Sequence, residues 1–214
     1  MLLKELIMEI ENLDIRGSTN IKVNNVSKNS NEIKPGDLFV AIKGSKSDGH
    51  DFINDAIIKG AKCILSEKII DVEDDNLTFV ITKCSKETYS RVCSKFFDNP
   101  SNKLKLIGIT GTNGKTTSSN LLYQMFTINN IKSGLISTNE IIIGSDKFET
   151  SLTTPDSYDL NLYLNKMVSN GIRFCFMEVS SHAIDQRRIS GLNFDLAIFT
   201  LSLIHISEPT RPRE

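Results

Sequence analysis

Apolar residues recur along this chain in two rhythms, and the changes between them predict most of its elements. Leu2, Leu6, Met8 and Ile10 keep helical spacing over residues 2–12, and a strand-like segment follows near Ile21 to Val26. The turn signal Lys34-Pro35-Gly36-Asp37 leads directly into the apolar strand Leu38-Phe39-Val40-Ala41-Ile42. A polar loop, GSKSDGH (44–50), opens an amphipathic stretch from Phe52 to Ile58 that stops at Gly60. Cys63-Ile64-Leu65 and Phe79-Val80-Ile81 predict two further buried strands. Tyr89, Val92, Cys93, Phe96 and Phe97 return to helical spacing until Asp98-Asn99-Pro100-Ser101 breaks the pattern.

That break predicts a domain boundary, with one domain over 1–98 and a second over 103–200. Beyond it, strands and helices alternate: strand 104–109, helix 115–128, strand 134–137, a hairpin through Gly144-Ser145-Asp146, helix 157–169, and strands 174–179 and 196–200. Such alternation predicts an α/β fold with a mostly parallel sheet covered on both faces. The last fourteen residues, LSLIHISEPTRPRE (201–214), carry two of the five prolines and no recognisable element ending.

Composition narrows the picture without redirecting it. The 214 residues suit one large domain or two small ones, and a hydrophobic share of 39% supports a sizeable core. With 25 Lys+Arg against 26 Asp+Glu, the net charge of −1 gives no electrostatic reason to expect nucleic acid or a membrane surface as partner. Cys63, Cys84, Cys93 and Cys175 form no C-x-x-C pair and fit a reducing compartment, so a cytoplasmic location is expected. The N-terminal stretch carries acids among its apolar residues and lacks a small-residue cleavage site, unlike a signal peptide. The longest nearly apolar run, Leu196 to Ile204, is about half of the roughly 18 residues that suggest a membrane span.

The strongest chemical signal is Gly108-Ile109-Thr110-Gly111-Thr112-Asn113-Gly114-Lys115-Thr116-Thr117, between an apolar strand and a helix. Glycines let several N–H groups face one anion, and the helix N-terminus adds a favourable dipole. Lys115 supplies a charge for the outer phosphates, and the Thr116 hydroxyl can ligate Mg²⁺. The strict G-x-x-x-x-G-K-[ST] pattern is missed, because Ile109 stands at the first glycine position. Such a loop needs a carboxylate for the metal at a neighbouring strand end. Glu178, closing Phe174-Cys175-Phe176-Met177, is the candidate; the alternative is a solvated acid capping the next turn. His182 reads as structural, and Gln186 and Arg188 read either as ligands for an anion or as a wet helix end.

TGTNGKTT (110–117), TTPDS (153–157) and MEVSSHAIDQRRISGLNFDLAIFT (177–200) resemble the Mur ligase family of peptidoglycan synthesis. Within it they are most similar to the branch that adds the third amino acid of the stem peptide. IKPGDLFVAIKGSKSDGHDFINDAIIKGA (33–61) resembles that branch's uridine-binding domain. The resemblance implies a small N-terminal α/β uridine-binding domain, then an incomplete P-loop central domain with a mostly parallel sheet. It implies that Gly111, Thr112, Asn113, Gly114, Lys115, Thr116 and Thr117 bind ATP, that Thr116 and Glu178 hold Mg²⁺, and that Lys115 and Glu178 serve catalysis. Ser30, Ser45, Lys46 and Ser47 would meet the uridine end of the sugar nucleotide, and Thr153, Thr154, Ser180, Gln186 and Arg188 its pyrophosphate and muramoyl-peptide.

The implied partners are UDP-N-acetylmuramoyl-L-Ala-D-Glu and an amino acid, meso-diaminopimelate or L-lysine, joined through an acyl phosphate. Two departures stand out: Asn29-Ser30-Asn31 replaces the usual Asp-Ser-Arg, and Leu152 replaces an asparagine found in some members. After Thr200 the family's Asp-His-Leu-Asp segment is absent, and the 201–214 tail is expected to be foreign to the natural protein. The remainder of the central sheet, a modified lysine and an amino-acid-binding third domain are expected outside this chain, which alone is expected to be inactive. The competing reading is a module that binds UDP-muramoyl-peptide and nucleotide without catalysis.

Overall fold

In the computed structural model, which describes residues 1–44, 47–68 and 76–201, the chain forms two compact units. The first comprises Met1–Pro100 with two later segments, Asp156–Leu162 and Gln186–Leu192. The second comprises Ser101–Pro155, Tyr163–Asp185 and, among the described residues, 193–201. The expected boundary placed both later segments in the second domain. Side-chain contacts far apart in sequence draw them into the first: Lys28 Nζ donates to Asp156 Oδ1 at 2.7 Å, Tyr89 OH to Asp156 Oδ2 at 2.9 Å, and Ser90 Oγ to the Arg188 carbonyl at 2.9 Å.

The first unit is a five-stranded sheet of β1 (Asp14–Arg16), β2 (Val26–Ser27), β3 (Leu38–Val40), β4 (Cys63–Ser66) and β5 (Thr78–Ile81), in the order β1-β5-β4-β3-β2. All neighbours are parallel except β1 against β5. Strand side chains alternate between faces, and here both faces are covered. Leu38, Val40, Cys63, Leu65 and Val80 pack with α1 (Leu3–Ile7) and α3 (Ser85–Phe96) on one side. Phe39, Ala41, Ile64 and Phe79 pack on the other with α2 (Ile53–Ile58). This two-sided burial is why the central strands read as unbroken apolar runs.

Helical spacing over 2–12 overreaches. The helix ends at Ile7, Asn12 turns the chain at φ 58°, and β1 follows with all three residues exposed. Between Ile21 and Val26 the ladder is confined to β2, with Lys22 making a single bridge to Leu2.

The second unit is a six-stranded sheet of β6 (Lys105–Thr110), β7 (Ser133–Ile136), β8 (Ile141–Ile143), β9 (Asp146–Phe148), β10 (Phe174–Glu178) and β11 (Leu196–Phe199). Its order is β11-β6-β10-β7-β8-β9. The first four are parallel; β8 and β9 form the expected hairpin, turning at Gly144 with φ 63°. The helix α4 (Lys115–Ile128) lays Leu122, Tyr123 and Phe126 on Ile107, Ile109, Leu135 and Phe176. Phe126 meets the edges of Phe174 and Phe176, each at 4.9 Å between ring centroids. Two further helices, α5 (Ser157–Ser169) and α6 (Ser181–Asp185), flank β10 in sequence. Among the described residues no helix is long and apolar enough to cross a membrane.

Candidate active site

In the second unit, the carboxyl ends of β6, β7 and β10 gather the chemistry, at the edge where open parallel sheets hold ligands. The register pairs Glu178 with Ile109, and the Val179 N–H donates to the Ile109 carbonyl at 2.8 Å, which sets the end of β10 beside the start of the phosphate loop. Gly111 at φ 139° and Gly114 at φ 86° take the backbone through conformations that other residues rarely adopt, and Gly114 caps α4. As a glycine, Gly114 offers no side-chain acceptor, and among the described residues no side chain caps the first N–H groups of the helix, an arrangement suited to an anion.

Lys115 lies folded on the loop, its Nζ donating to the Gly111 carbonyl at 2.8 Å and the Thr112 carbonyl at 3.2 Å. The N–H groups of Thr112 and Asn113 donate to the Leu201 carbonyl at 2.8 and 3.2 Å. The Thr200 hydroxyl reaches the Asn113 carbonyl at 2.7 Å. The segment after β11 thus packs against the loop, a contact that no motif announces.

Glu178 is fully buried. Its Oε2 accepts from Thr116 Oγ1 at 3.0 Å and Thr138 Oγ1 at 3.1 Å, and its Oε1 accepts from the Thr138 N–H at 3.0 Å. All three donors are neutral, and among the described residues no cationic side chain forms an ion pair with it. A buried carboxylate without a counter-charge is costly, and a hydroxyl and a carboxylate on one side of a phosphate loop are the donor set that Mg²⁺ takes when phosphate and water complete its shell.

The residues ascribed to the sugar-nucleotide fall in different places. Thr153 lies with its hydroxyl 3.1 Å from that of Thr138. Thr154, also buried, donates to the Glu178 carbonyl at 2.8 Å and accepts from the Ser180 N–H at 3.0 Å. These three surround Glu178 in the second unit. Ser30, Ser47, Gln186 and Arg188 belong to the first.

There, Ser30 opens a short 3₁₀ turn, and Lys59 Nζ donates to the Ser30 carbonyl at 3.1 Å and to Asn31 Oδ1 at 3.0 Å. A cation therefore reaches the turn whose expected arginine is replaced by Asn31. The Ser47 carbonyl accepts the Gly44 N–H at 2.9 Å, while Ser45 and Lys46 lie outside the described residues. Arg188 donates through Nε and Nη2 to Gln186 Oε1 at 3.0 and 2.6 Å. Sequence reasoning missed Thr138, whose only signal was its place just after a strand beside the one ending in Glu178.

Comparison with known proteins bears on both units. The description "Mur ligase family, catalytic domain" matches residues 22–102, and "Mur ligase middle domain" matches residues 109–206. Among similar curated proteins is the UDP-N-acetylmuramoyl-L-alanyl-D-glutamate–2,6-diaminopimelate ligase of Cytophaga hutchinsonii, 43% identical over 201 residues. The ligase of the same name from Clostridioides difficile is 40% identical over 200 residues. Each match covers 94% of this chain and 41% of the relative, so the chain spans about two fifths of their length. A solved structure of a ligase of that name shares the fold, with a TM-score of 0.74 at 23% identity over 94% of this chain and 40% of its own.

Proposed function

The chain belongs to the Mur ligase family, and from that premise we propose that it carries the uridine- and ATP-binding parts of the ligase that adds the third amino acid to UDP-N-acetylmuramoyl-L-Ala-D-Glu. The names of its relatives favour diaminopimelate as that amino acid. In this reading the N-terminal region, from 1 to about 98, receives the uridine end through Ser30 and residues 45–47, and the second unit holds ATP. The observation that carries the proposal is the meeting of Thr116 and Glu178, 62 residues apart in sequence, within 3.0 Å at the mouth of the phosphate loop.

The reaction is acyl transfer in two displacements. The substrate carboxylate attacks the γ-phosphorus of ATP, the bond to the β-bridging oxygen breaks, and an acyl phosphate and ADP result. The amine then attacks the acyl carbon and expels inorganic phosphate, losing a proton as the amide forms. No serine or cysteine nucleophile is required; the work is positioning and electrostatic stabilisation. Lys115 moves from its own loop carbonyls to the β- and γ-phosphates, while the N–H groups opening α4 hold the phosphate oxygens. Thr116 and Glu178 would hold Mg²⁺, which supplies charge neutralisation on the phosphates. Thr153, Thr154 and Ser180 line the acceptor side next to Glu178, with Gln186 and Arg188 assigned to the anionic sugar-nucleotide.

The test is nucleotide binding by calorimetry. A hydrogen bond to a charged group contributes about 1.5–3 kcal/mol, so Lys115→Met should weaken ATP binding by roughly 10- to 150-fold with the melting temperature unchanged. Wild-type affinity in the variant would sink the phosphate-loop assignment.

A further inference from the structure

Glu178 is held chiefly by one residue. Thr138 follows β7 and donates to both carboxylate oxygens, its N–H to Oε1 at 3.0 Å and its hydroxyl to Oε2 at 3.1 Å. A carboxylate on a glutamate turns easily about its last torsion, which has broad, roughly two-fold preferences. Separate donors on the two oxygens from a single residue stop that rotation.

The residue that does so is itself fixed. The Ser137 N–H donates to the Glu140 carbonyl at 3.1 Å, Ser137 Oγ to the same carbonyl at 2.9 Å, and the Glu140 N–H to Ser137 Oγ at 3.3 Å. Those bonds close a turn around Thr138, and Ser137 is fully buried beneath it. The branched threonine side chain is also stiff about its first torsion.

We propose that Thr138 is a positioning residue that sets the plane of the Glu178 carboxylate so that Oε2, shared with Thr116, presents a lone pair to Mg²⁺. This rests on the reading of the loop as an ATP site. The Thr138 hydroxyl has one proton, and the carboxylate only accepts, so that proton is committed to Glu178. The Thr153 hydroxyl stands 3.1 Å beyond it. The metal carboxylate and the acceptor-side threonines are thereby joined through Thr138.

Residues that orient metal ligands typically govern 10- to 100-fold in metal affinity. The experiment is ADP binding by calorimetry to the whole chain, in saturating Mg²⁺ and in EDTA, and the readout is the ratio of the two affinities. In Thr138→Val that ratio should fall about tenfold or more, while the affinity in EDTA stays within about threefold. Thr138→Ser, which keeps both donors and loses a methyl group, should keep the wild-type ratio.

An unchanged ratio in Thr138→Val overturns the proposal, as does an equal loss in EDTA, which would mean that Thr138 shapes the loop and not the metal ligand. If Thr138→Val does not fold, a lost ratio in Thr138→Ser overturns the proposal, since packing and not hydrogen bonding would then matter, and a kept one upholds it. Absence of any ADP binding by the wild-type chain would instead overturn the ATP-site reading.

Discussion

Replacing Gly111 by alanine tests the phosphate loop where its geometry is least forgiving. At φ 139° the backbone occupies a region essentially reserved for glycine, and forcing a side chain into such a region costs of order 1–3 kcal/mol. The new Cβ would collide with the Thr200 hydroxyl and stand 3.2 Å from the Leu201 carbonyl. Thr200 can relieve the clash only by giving up its bonds to the Asn113 and Thr110 carbonyls, a further loss of about 0.5–1.5 kcal/mol.

The sum, roughly 1.5–4.5 kcal/mol, falls on an exposed loop and not on the core, so it should appear in nucleotide affinity more than in global unfolding. At 1.4 kcal/mol per factor of ten, ADP binding should weaken about 10- to 1,600-fold. Gly144→Ala is the control. Gly144 also has positive φ, at 63°, but a Cβ there meets nothing within 4 Å, so it should cost about 1–2 kcal/mol of stability and leave ADP binding untouched. Calorimetric titration with ADP and thermal melting of both variants decide the matter. Binding within threefold of wild type in Gly111→Ala, or equal losses in the two variants, would refute the reasoning.

Three other outcomes are expected. Thr154→Val leaves the buried Glu178 carbonyl and Ser180 N–H without their shared partner, so chemical denaturation should show a loss of about 2–4 kcal/mol, with Thr154→Ser recovering most of it. The Lys105 ammonium and the Leu106 N–H hold the Asp195 carboxyl below the usual carboxylate range. A lowered folded value means stability is fully present above the usual carboxylate range and lost as pH falls below it through the folded value, so Asp195→Asn should flatten the acid limb of the stability curve below about pH 4 and leave its shape above pH 5 unchanged. Burial pushes the thiols of Cys63, Cys93 and Cys175 up. An alkylating reagent at neutral pH should therefore modify Cys84 rapidly in the native chain and reach all four cysteines only in denaturant.

How far the fold can be read from residues depends on how local its causes are. The runs 38–42 and 63–65 announced themselves because both faces of β3 and β4 are covered, and the hairpin at 144–146 because a glycine with positive φ turns it. β1 was illegible for the opposite reason: it is a three-residue edge strand with every side chain exposed, held by its ladder to β5 and not by an apolar pattern. The grouping of 156–162 and 186–192 with the first unit was equally hidden. Tyr89 and Asp156 lie 67 positions apart, Ser90 and Arg188 98 apart, and no periodicity encodes such pairs.

The site divides along the same line. Gly111, Gly114, Lys115 and Thr116 form one contiguous motif whose backbone demands are written in its glycines, so their nearness was legible without a structure. Glu178 was legible at one remove, because an acid ending an apolar strand is unusual enough to ask what it faces. Thr138 sits in Ser-Thr-Asn-Glu, an unremarkable polar turn, and acquires meaning only through β10 lying between β6 and β7. That order places the ends of β10 and β7 side by side. The same threonine beside any other strand would be one more surface hydroxyl, so what makes it a candidate for function is the parallel register, a property of the sheet and of no single segment.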